Sequence, residues 1–339
     1  MKIFYTLFLL IINIFNYAFC EWYTISHDGI LRNYYLSIPS DMNSDNPAPL
    51  IINLHGYGGN ATQQLYYSEM NEYALEQNIA VVYPQGLNNS WNVYTYWDTN
   101  NFDDVGFINE IIEEIISNYN IDSDRIYACG MSNGGYMSYR LACDLSDKIV
   151  AFGSVTGNFM LNPANVSDCS EQGREIPIIH LHGTYDNIVN YYSPTFDGSL
   201  SVQESIDYWR EFNNLTHENI ETINNFVEIY TYSKEVSNTK FIHYKVYGGG
   251  HEWFKNNWGF HSSEELIKFF LNYKLTDFID SPIHGDLNGD NIINVSDIIL
   301  LIDYILNFSS PDFNSADLNN DGELNILDIT LLIMLILSD

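Results

Sequence analysis

The segment Gly130-Met131-Ser132-Asn133-Gly134 places a serine between glycines, directly after an apolar run at 125–129. A serine on a sharp strand-to-helix turn exposes its hydroxyl for attack on a carbonyl, and the glycines are needed because such a turn crowds any Cβ atom. The pattern alone is a weak signal. Its position between a predicted strand and a predicted helix strengthens it, so we predict that Ser132 is a catalytic nucleophile.

An acid and a histidine follow Ser132 in the chain order that this arrangement requires. Asp186 comes after the apolar run 176–181, and His251 comes after the run 241–247 and three glycines. A histidine beside a serine acts as general base, and a carboxylate orients its imidazole and stabilises the imidazolium. The sequence therefore predicts a triad of Ser132, Asp186 and His251.

Two backbone amides are candidates for stabilising the oxyanion formed when the serine attacks. The amide of Asn133 opens the helix after the nucleophile, where N–H groups are unpaired and the helix dipole favours negative charge. The amide of Tyr57 lies in a glycine-rich turn after the apolar run 49–54. We expect His55 to brace this turn rather than to transfer protons.

Three aromatic residues near these motifs are candidates for a substrate pocket: Trp91, Tyr185 and Trp253. Aromatic rings suit both hydroxycinnamoyl groups and sugar faces. Ordinary packing is an equally good interpretation of each, because aromatic residues make up 15% of the chain.

The segments that carry these residues alternate between strand-like and helix-like patterns. Apolar runs predict buried strands, and apolar residues at helical spacing predict amphipathic helices between them. The predicted strands are 49–54, 79–83, 125–129 and 176–181, and the predicted helices are 105–119, 135–145, 201–212 and 263–275. This alternation is typical of an α/β fold with a mostly parallel sheet. We assign it to a domain at 21–275.

An acidic duplication follows a short linker at 276–283. The segment 286–297 recurs at 317–328, an offset of 31 residues, with oxygen-bearing residues at loop positions 1, 3, 5, 9 and 12. Alternating oxygen ligands with one backbone carbonyl at position 7 are typical of a calcium loop. The predicted ligands of two calcium ions are Asp286, Asn288, Asp290, Ile292, Asn294, Asp297, Asp317, Asn319, Asp321, Glu323, Asn325 and Asp328.

The duplicated loops each precede an apolar helix, at 298–306 and 329–337, and each ends in Asp where an EF-hand has Glu. The region 284–339 thereby resembles a type I dockerin, a small all-α domain. The resemblance implies calcium-dependent folding and a cohesin module of a scaffold protein as partner. Positions 10 and 11, Val295-Ser296 and Ile326-Leu327, depart from the common Ser-Thr pair, which leaves the partner's identity open. A calcium-stiffened tail without a partner is the alternative.

The formal net charge of the chain is −31. Such a field repels nucleic acid and anionic membranes, so neither is expected as a partner. Residues 1–20 read as a signal peptide, with Lys2, an apolar segment and a small-residue cleavage site before Glu21. No later segment reaches the length of a membrane helix. We therefore expect a secreted protein.

Three cysteines remain after the signal peptide. Cys129 lies in a predicted buried strand, whereas Cys143 and Cys169 lie in more polar surroundings and could form a disulfide.

The region 22–275 resembles a secreted esterase family that groups poly(3-hydroxybutyrate) depolymerases with feruloyl and acetylxylan esterases. The motifs that carry the resemblance are His55-Gly56-Tyr57, Trp91, Asp103-Asp104-Val105-Gly106-Phe107, Gly130 to Gly135, Leu141-Ala142-Cys143, His182 to Asp186 and Gly249 to Trp253. It implies an α/β-hydrolase fold, an acyl-serine intermediate and no cofactor for catalysis. Family members often carry cysteines at positions like Cys143 and Cys169, which supports their pairing. Trp253-Phe254 stands where family members commonly have Trp-Pro.

The combination of these motifs predicts a secreted serine carboxylic-ester hydrolase. The dockerin-like region favours a feruloyl or related carbohydrate esterase that acts on plant or algal polysaccharide. A poly(3-hydroxybutyrate) depolymerase or other polyester hydrolase is one alternative. A non-catalytic binding protein that carries a dockerin is the alternative from another class.

Overall fold

The computed structural model describes residues 19–43, 45–95, 100–160, 169, 174–193, 195, 198–235, 237–278, 285–288, 292–307, 316–319 and 322–338. The chain divides into two compact units, with the boundary between Leu275 and Thr276. Most of the predicted signal peptide and of the predicted linker lies outside the described residues, so both stay predictions.

A single sheet forms the centre of the first unit. Its described strands are β1 (Phe19–His27), β2 (Ile30–Ile38), β3 (Ala48–Leu54), β4 (Ala80–Pro84), β5 (Ile121–Met131), β6 (Ile149–Val155), β7 (Ile178–Gly183), β8 (His217–Asn224), β9 (Val227–Lys234) and β10 (Ser237–Val246). Their order is β1-β2-β4-β3-β5-β6-β7-β10-β9-β8. The strands from β4 to β10 in this order run parallel, and antiparallel strands extend both edges.

The centre of the sheet follows from its residue pattern. Every residue of β3, β4, β6 and β7 is buried, as expected for strands covered by helices on both faces. The predicted α/β fold with a mostly parallel sheet is thereby confirmed. The edge strands were not predicted, because β8 is exposed along nearly its whole length and lacks an apolar run.

Six α-helices belong to the described part of the first unit. They are α1 (Ala61–Ser68), α2 (Met70–Ala74), α3 (Asp104–Asn118), α4 (Asn133–Asp144), α5 (Val202–Phe212) and α6 (Ser262–Phe270). A disulfide joins Cys143, near the end of α4, to Cys169. Cys129 is buried in β5 as a free thiol. The helix after the predicted nucleophile is therefore covalently tied at its C-terminal end.

Two helices, α7 (Val295–Asn307) and α8 (Ile326–Ser338), form the described helical part of the second unit. Leu301, Ala316 and Leu332 are its fully buried apolar residues among those described. No helix in the described ranges of either unit is both long and apolar enough to cross a bilayer.

Candidate active site

Ser132 occupies the turn between β5 and α4 in a backbone conformation that serine rarely adopts. Its φ is 54° and its ψ is −119°. A positive φ costs conformational energy in residues other than glycine. Two hydrogen bonds hold it there: its N–H donates to Val155 O at 2.9 Å, and its carbonyl accepts from Tyr136 N at 3.0 Å. The turn therefore presents the Ser132 side chain at the end of the parallel strands.

The glycines on both sides of Ser132 are required by close backbone contacts. A Cβ atom on Gly130 would lie 2.5 Å from the backbone of Gly134, and one on Gly134 would lie 2.3 Å from Leu54 O. Both distances are far below van der Waals contact. The turn can pack against β3 only because these positions lack side chains.

Asp186 and His251 meet beside this turn, at the ends of β7 and β10. His251 Nδ1 lies 2.7 Å from Asp186 Oδ2, and Asp186 Oδ1 accepts from the backbone amides of Ile188 and Val189 at 2.9 Å each. Since Asp186 is the acceptor, the Nδ1 of His251 carries the proton and Nε2 is the basic nitrogen. This is the tautomer that a general base for a serine requires.

A second histidine, His182, contacts the same carboxylate from the protein interior. Its Nε2 lies 3.2 Å from Asp186 Oδ2 and 2.9 Å from Val189 O, so Nε2 carries the proton. Burial acts to raise the pKa of Asp186, and the hydrogen bonds from His182 and His251 outweigh it, so the pKa lies below its ordinary range. This role of His182 was not predicted from the sequence, although His182 begins the motif His182 to Asp186 that carries the family resemblance.

A cavity of about 230 Å³ joins the predicted nucleophile and base. Its described walls are His55, Gly56, Tyr57, Gly59, Gln63, Gln64, Tyr67, Met131, Ser132 and His251. An ester carbonyl can therefore reach Ser132 and His251 from one space.

Of the two residues predicted for the oxyanion hole, Tyr57 lies in this wall and Asn133 directly follows Ser132. Asn133 is the first residue of α4, and its side chain is fixed by Trp91, accepting from Trp91 N at 2.6 Å and donating to Trp91 O at 3.1 Å. Tyr57 lies in the cavity wall, one residue after Gly56, where a Cβ atom would lie 3.4 Å from the Cβ of Ser132. The two backbone segments therefore flank the nucleophile.

His55 braces the Tyr57 turn. Its Nε2 accepts from Gly86 N at 3.0 Å, so its Nδ1 carries the proton and donates to Gly56 O at 2.8 Å. Burial lowers the pKa of His55 to about 4. A neutral imidazole with both nitrogens bonded to backbone has no part in proton transfer.

The structure places none of the three residues predicted for an aromatic pocket in the described cavity wall. Trp91 and Trp253 are completely buried, with their indole N–H groups donating to His55 O and Ser263 Oγ. Tyr185 is 77% exposed and lies outside the described cavity wall. The two indole rings therefore pack in the interior and do not line the cavity. The wall instead includes Gln63, Gln64 and Tyr67 around α1, which no motif singled out.

The two acidic repeats of the second unit have equivalent hydrogen bonds. Asp297 accepts hydrogen bonds from the backbone amides of Leu287, Asn288 and Asn294. In the second repeat, Asp328 accepts from the equivalent amides of Leu318, Asn319 and Asn325. Asp286, Asp297, Asp317 and Asp328 are all buried. Buried carboxylates with side-chain amide and carbonyl oxygens nearby fit a hard cation such as calcium. Asp290 and Asp321 lie outside the described residues.

Residues 41–228, more than half of the chain, match the family model described as phospholipase/carboxylesterase. The chain belongs to this family. Residues 284–337 match the type I dockerin domain, a calcium-binding module. The predicted combination of an esterase-type α/β domain with a dockerin is therefore confirmed.

Relatives of the carboxylesterase domain include named fungal esterases. Feruloyl esterase B of Piromyces equi is 31% identical over 65% of this chain and 42% of its own length. A probable feruloyl esterase C of Aspergillus niger is 32% identical over 51% of this chain and 60% of its own. A bifunctional acetylxylan esterase/xylanase of Neocallimastix patriciarum is 31% identical over 48% of this chain and 22% of its own length. The chain thus spans less than two thirds of the length of each.

Solved structures share the fold at low sequence identity. An acetyl xylan esterase from Aspergillus awamori superposes with a TM-score of 0.56 at 14% identity, covering 74% of this chain and 98% of its own. A thermostable esterase superposes with a TM-score of 0.52 at 20% identity, and the match covers 75% of this chain and 63% of that esterase.

Three buried histidines of the carboxylesterase domain make its stability dependent on pH. Burial lowers the pKa of His55 to about 4 and that of His243 to about 3, and it lowers the pKa of His180 well below the ordinary range. An unfolded histidine has a pKa of about 6.5. As the pH falls below that value, the unfolded chain takes up protons that the native domain does not, so the free energy of unfolding decreases.

We expect the substitution His243→Gln to remove one of these contributions. Between pH 7 and pH 5, His243 alone should account for a loss of about 2 kcal/mol of stability. Guanidinium unfolding followed by tryptophan fluorescence measures it, because all six tryptophans precede residue 275. An identical pH dependence in the variant and the wild type would contradict the assignment.

Proposed function

We propose that the chain is a serine carboxylic-ester hydrolase that removes feruloyl or related acyl groups from plant or algal polysaccharide. The observation that carries the chemistry is the arrangement of Ser132 and His251 around one cavity, with the Asp186 carboxylate 2.7 Å from His251 Nδ1. The activities for which the fungal relatives are named support the choice of acyl group and polymer.

The proposed reaction passes through an acyl-serine. His251 Nε2 takes the proton of Ser132 Oγ as the oxygen attacks the ester carbonyl, and the amides of Asn133 and Tyr57 donate to the oxyanion. His251 then returns the proton to the sugar oxygen as the C–O bond breaks. Water, activated in the same way, attacks the acyl-serine and releases the acid. The ionised Asp186 stabilises the imidazolium in both halves.

The second unit is proposed to attach the enzyme to a scaffold protein. Two calcium ions, one for each repeat, would be held by the oxygen ligands predicted above, and the charge of each ion would draw the carboxylates of its loop together. The folded dockerin would bind a cohesin module of a scaffold protein. Residues 1–20 would direct the chain out of the cell, and 276–283 would link the domains.

The test measures products from three substrates with the full-length protein in calcium buffer. We expect ferulate release from feruloylated arabinoxylan, with Ser132→Ala as the blank and Ser40→Ala, an exposed serine, as the matched control. Acetate from acetylated xylan would place the enzyme with acetyl esterases. Release of 3-hydroxybutyrate from polymer film without ferulate would overturn the proposed substrate. No ester hydrolysis above the blank would favour a non-catalytic binding protein.

A further inference from the structure

A groove of about 890 Å³ adjoins the catalytic cavity. Gln63 and Tyr67 line both spaces, so the groove and the cavity lie side by side. The groove extends from them to Trp22 on β1, Tyr66 on α1, and Asn60 and Gln85 on adjoining loops. A ligand bound in the groove can therefore place an attached group at Ser132.

Exposed aromatic rings form one part of this groove. Trp22 is 46% exposed, Tyr66 is 74% exposed and Tyr67 is 40% exposed. Trp22 packs edge-on against Tyr35 with ring centroids 5.4 Å apart, and Tyr67 Oη accepts from Trp253 N at 3.1 Å. Trp22 and Tyr67 are thus held by neighbouring residues, and large aromatic rings left open to solvent are typical of binding surfaces.

The polar part of the groove consists of side-chain amides and hydroxyls. None of its described lining residues is charged, although the chain carries 44 acidic residues. Gln85 is fixed by accepting from Ala61 N at 3.0 Å and donating to Gly86 O at 3.0 Å. An uncharged lining gives an anionic or cationic ligand no partner.

Exposed aromatic rings beside amides match the chemistry of a neutral sugar chain. The C–H face of a sugar ring packs on an aromatic ring, and its hydroxyls exchange hydrogen bonds with amides and hydroxyls. A polyester chain offers acceptors but no donors. We propose that the groove binds the neutral glycan main chain that carries the ester, with sugar rings packed on Trp22 and Tyr66. The link to catalysis rests on the proposed function.

The variants Trp22→Ala and Tyr66→Ala test this role. We expect each to raise KM for feruloylated arabinoxylan about tenfold, with kcat and the hydrolysis of methyl ferulate changed less than twofold. Phe226→Ala removes a comparably exposed aromatic ring outside the groove lining and should leave both substrates unaffected. Tyr66 is the more exposed residue, so its variant answers the question even where Trp22→Ala does not fold.

Binding without catalysis gives an independent measurement. Calorimetry of xylohexaose with Ser132→Ala should give a dissociation constant that rises about tenfold on adding Tyr66→Ala. Unchanged KM and affinity in the variants, while methyl ferulate is cleaved, would overturn the groove proposal and leave the esterase intact. An equal loss on methyl ferulate would show that the groove holds the acyl group instead. Failure of the wild type on every ester would count against the proposed function.

Discussion

Replacing Asp186 by asparagine is expected to lower kcat on a small soluble ester by about 10³- to 10⁴-fold. The reason is the number of donors that converge on its carboxylate. Oδ1 accepts from the amides of Ile188 and Val189, and Oδ2 faces the ring nitrogens of His251 and His182. Four donors require both oxygens of an ionised acid, and an amide has only one oxygen.

Two backbone amides determine the orientation of the asparagine side chain. Two amide N–H groups need an acceptor at the Oδ1 position, and leaving them unpaired in a buried site would cost about 1–3 kcal/mol each. The amide oxygen therefore goes there, and the NH₂ group faces His251. Nδ1 of His251 must then become the acceptor, which places the proton on Nε2 and removes the base that Ser132 needs.

Steady-state kinetics of Asp186→Asn, compared with Asp144→Asn, checks this. Asp144 is ion-paired with Arg140 on α4, and its substitution should change kcat less than twofold. Unfolding followed by tryptophan fluorescence verifies that both variants are folded. A loss below tenfold in folded Asp186→Asn would mean that Asp186 does not orient the base. A loss as large in Asp144→Asn would point to general damage instead.

The order of motifs in the chain predicted the core of this site because parallel strands end at one edge of a sheet. Each predicted residue of the triad follows a run of buried apolar residues, and such runs are the strongest signal of central strands. Ser132, Asp186 and His251 are far apart in sequence. The topology alone brings the ends of β5, β7 and β10 to a common edge.

The walls of the cavity could not be predicted in the same way. Trp253 lies two residues after His251, yet its indole and that of Trp91 are buried in the interior. Sequence patterns do not tell which side of a loop a ring faces. Gln63 and Tyr67 reach the cavity from α1, a helix of eight residues whose polar residues hide its amphipathic pattern. Contacts of this kind depend on packing between elements that are not neighbours in sequence.

Removing calcium is expected to unfold the second unit and leave the carboxylesterase domain folded. The described part of the second unit buries only three apolar side chains completely, Leu301, Ala316 and Leu332. Its buried groups also include Asp286 and Asp297 in one repeat, and like charges in a low-dielectric environment repel strongly. We therefore expect this small core with buried carboxylates to need a bound cation for its stability.

Mass action sets the size of this effect. A ligand present at 1,000 times its dissociation constant stabilises the folded state by about 4 kcal/mol, which is comparable with the total stability of a domain this small. Titration with EGTA should abolish the helical far-UV circular dichroism of α7 and α8. Tryptophan fluorescence should not change, because the six tryptophans all precede this unit. Loss of ester hydrolysis in parallel would contradict the independence of the two units.

The substitution Asp297→Ala tests the predicted calcium site of the first repeat independently of the second. It removes the acceptor of three backbone amides as well as a predicted ligand, so the first loop should lose both its hydrogen bonds and its ion. Calcium titration by calorimetry should then give one ion per chain where the wild type gives two. Asp303→Ala, an exposed change on the same helix, should keep both. A stoichiometry of two in Asp297→Ala would mean that the buried carboxylate organises the loop through its three backbone hydrogen bonds without holding the metal.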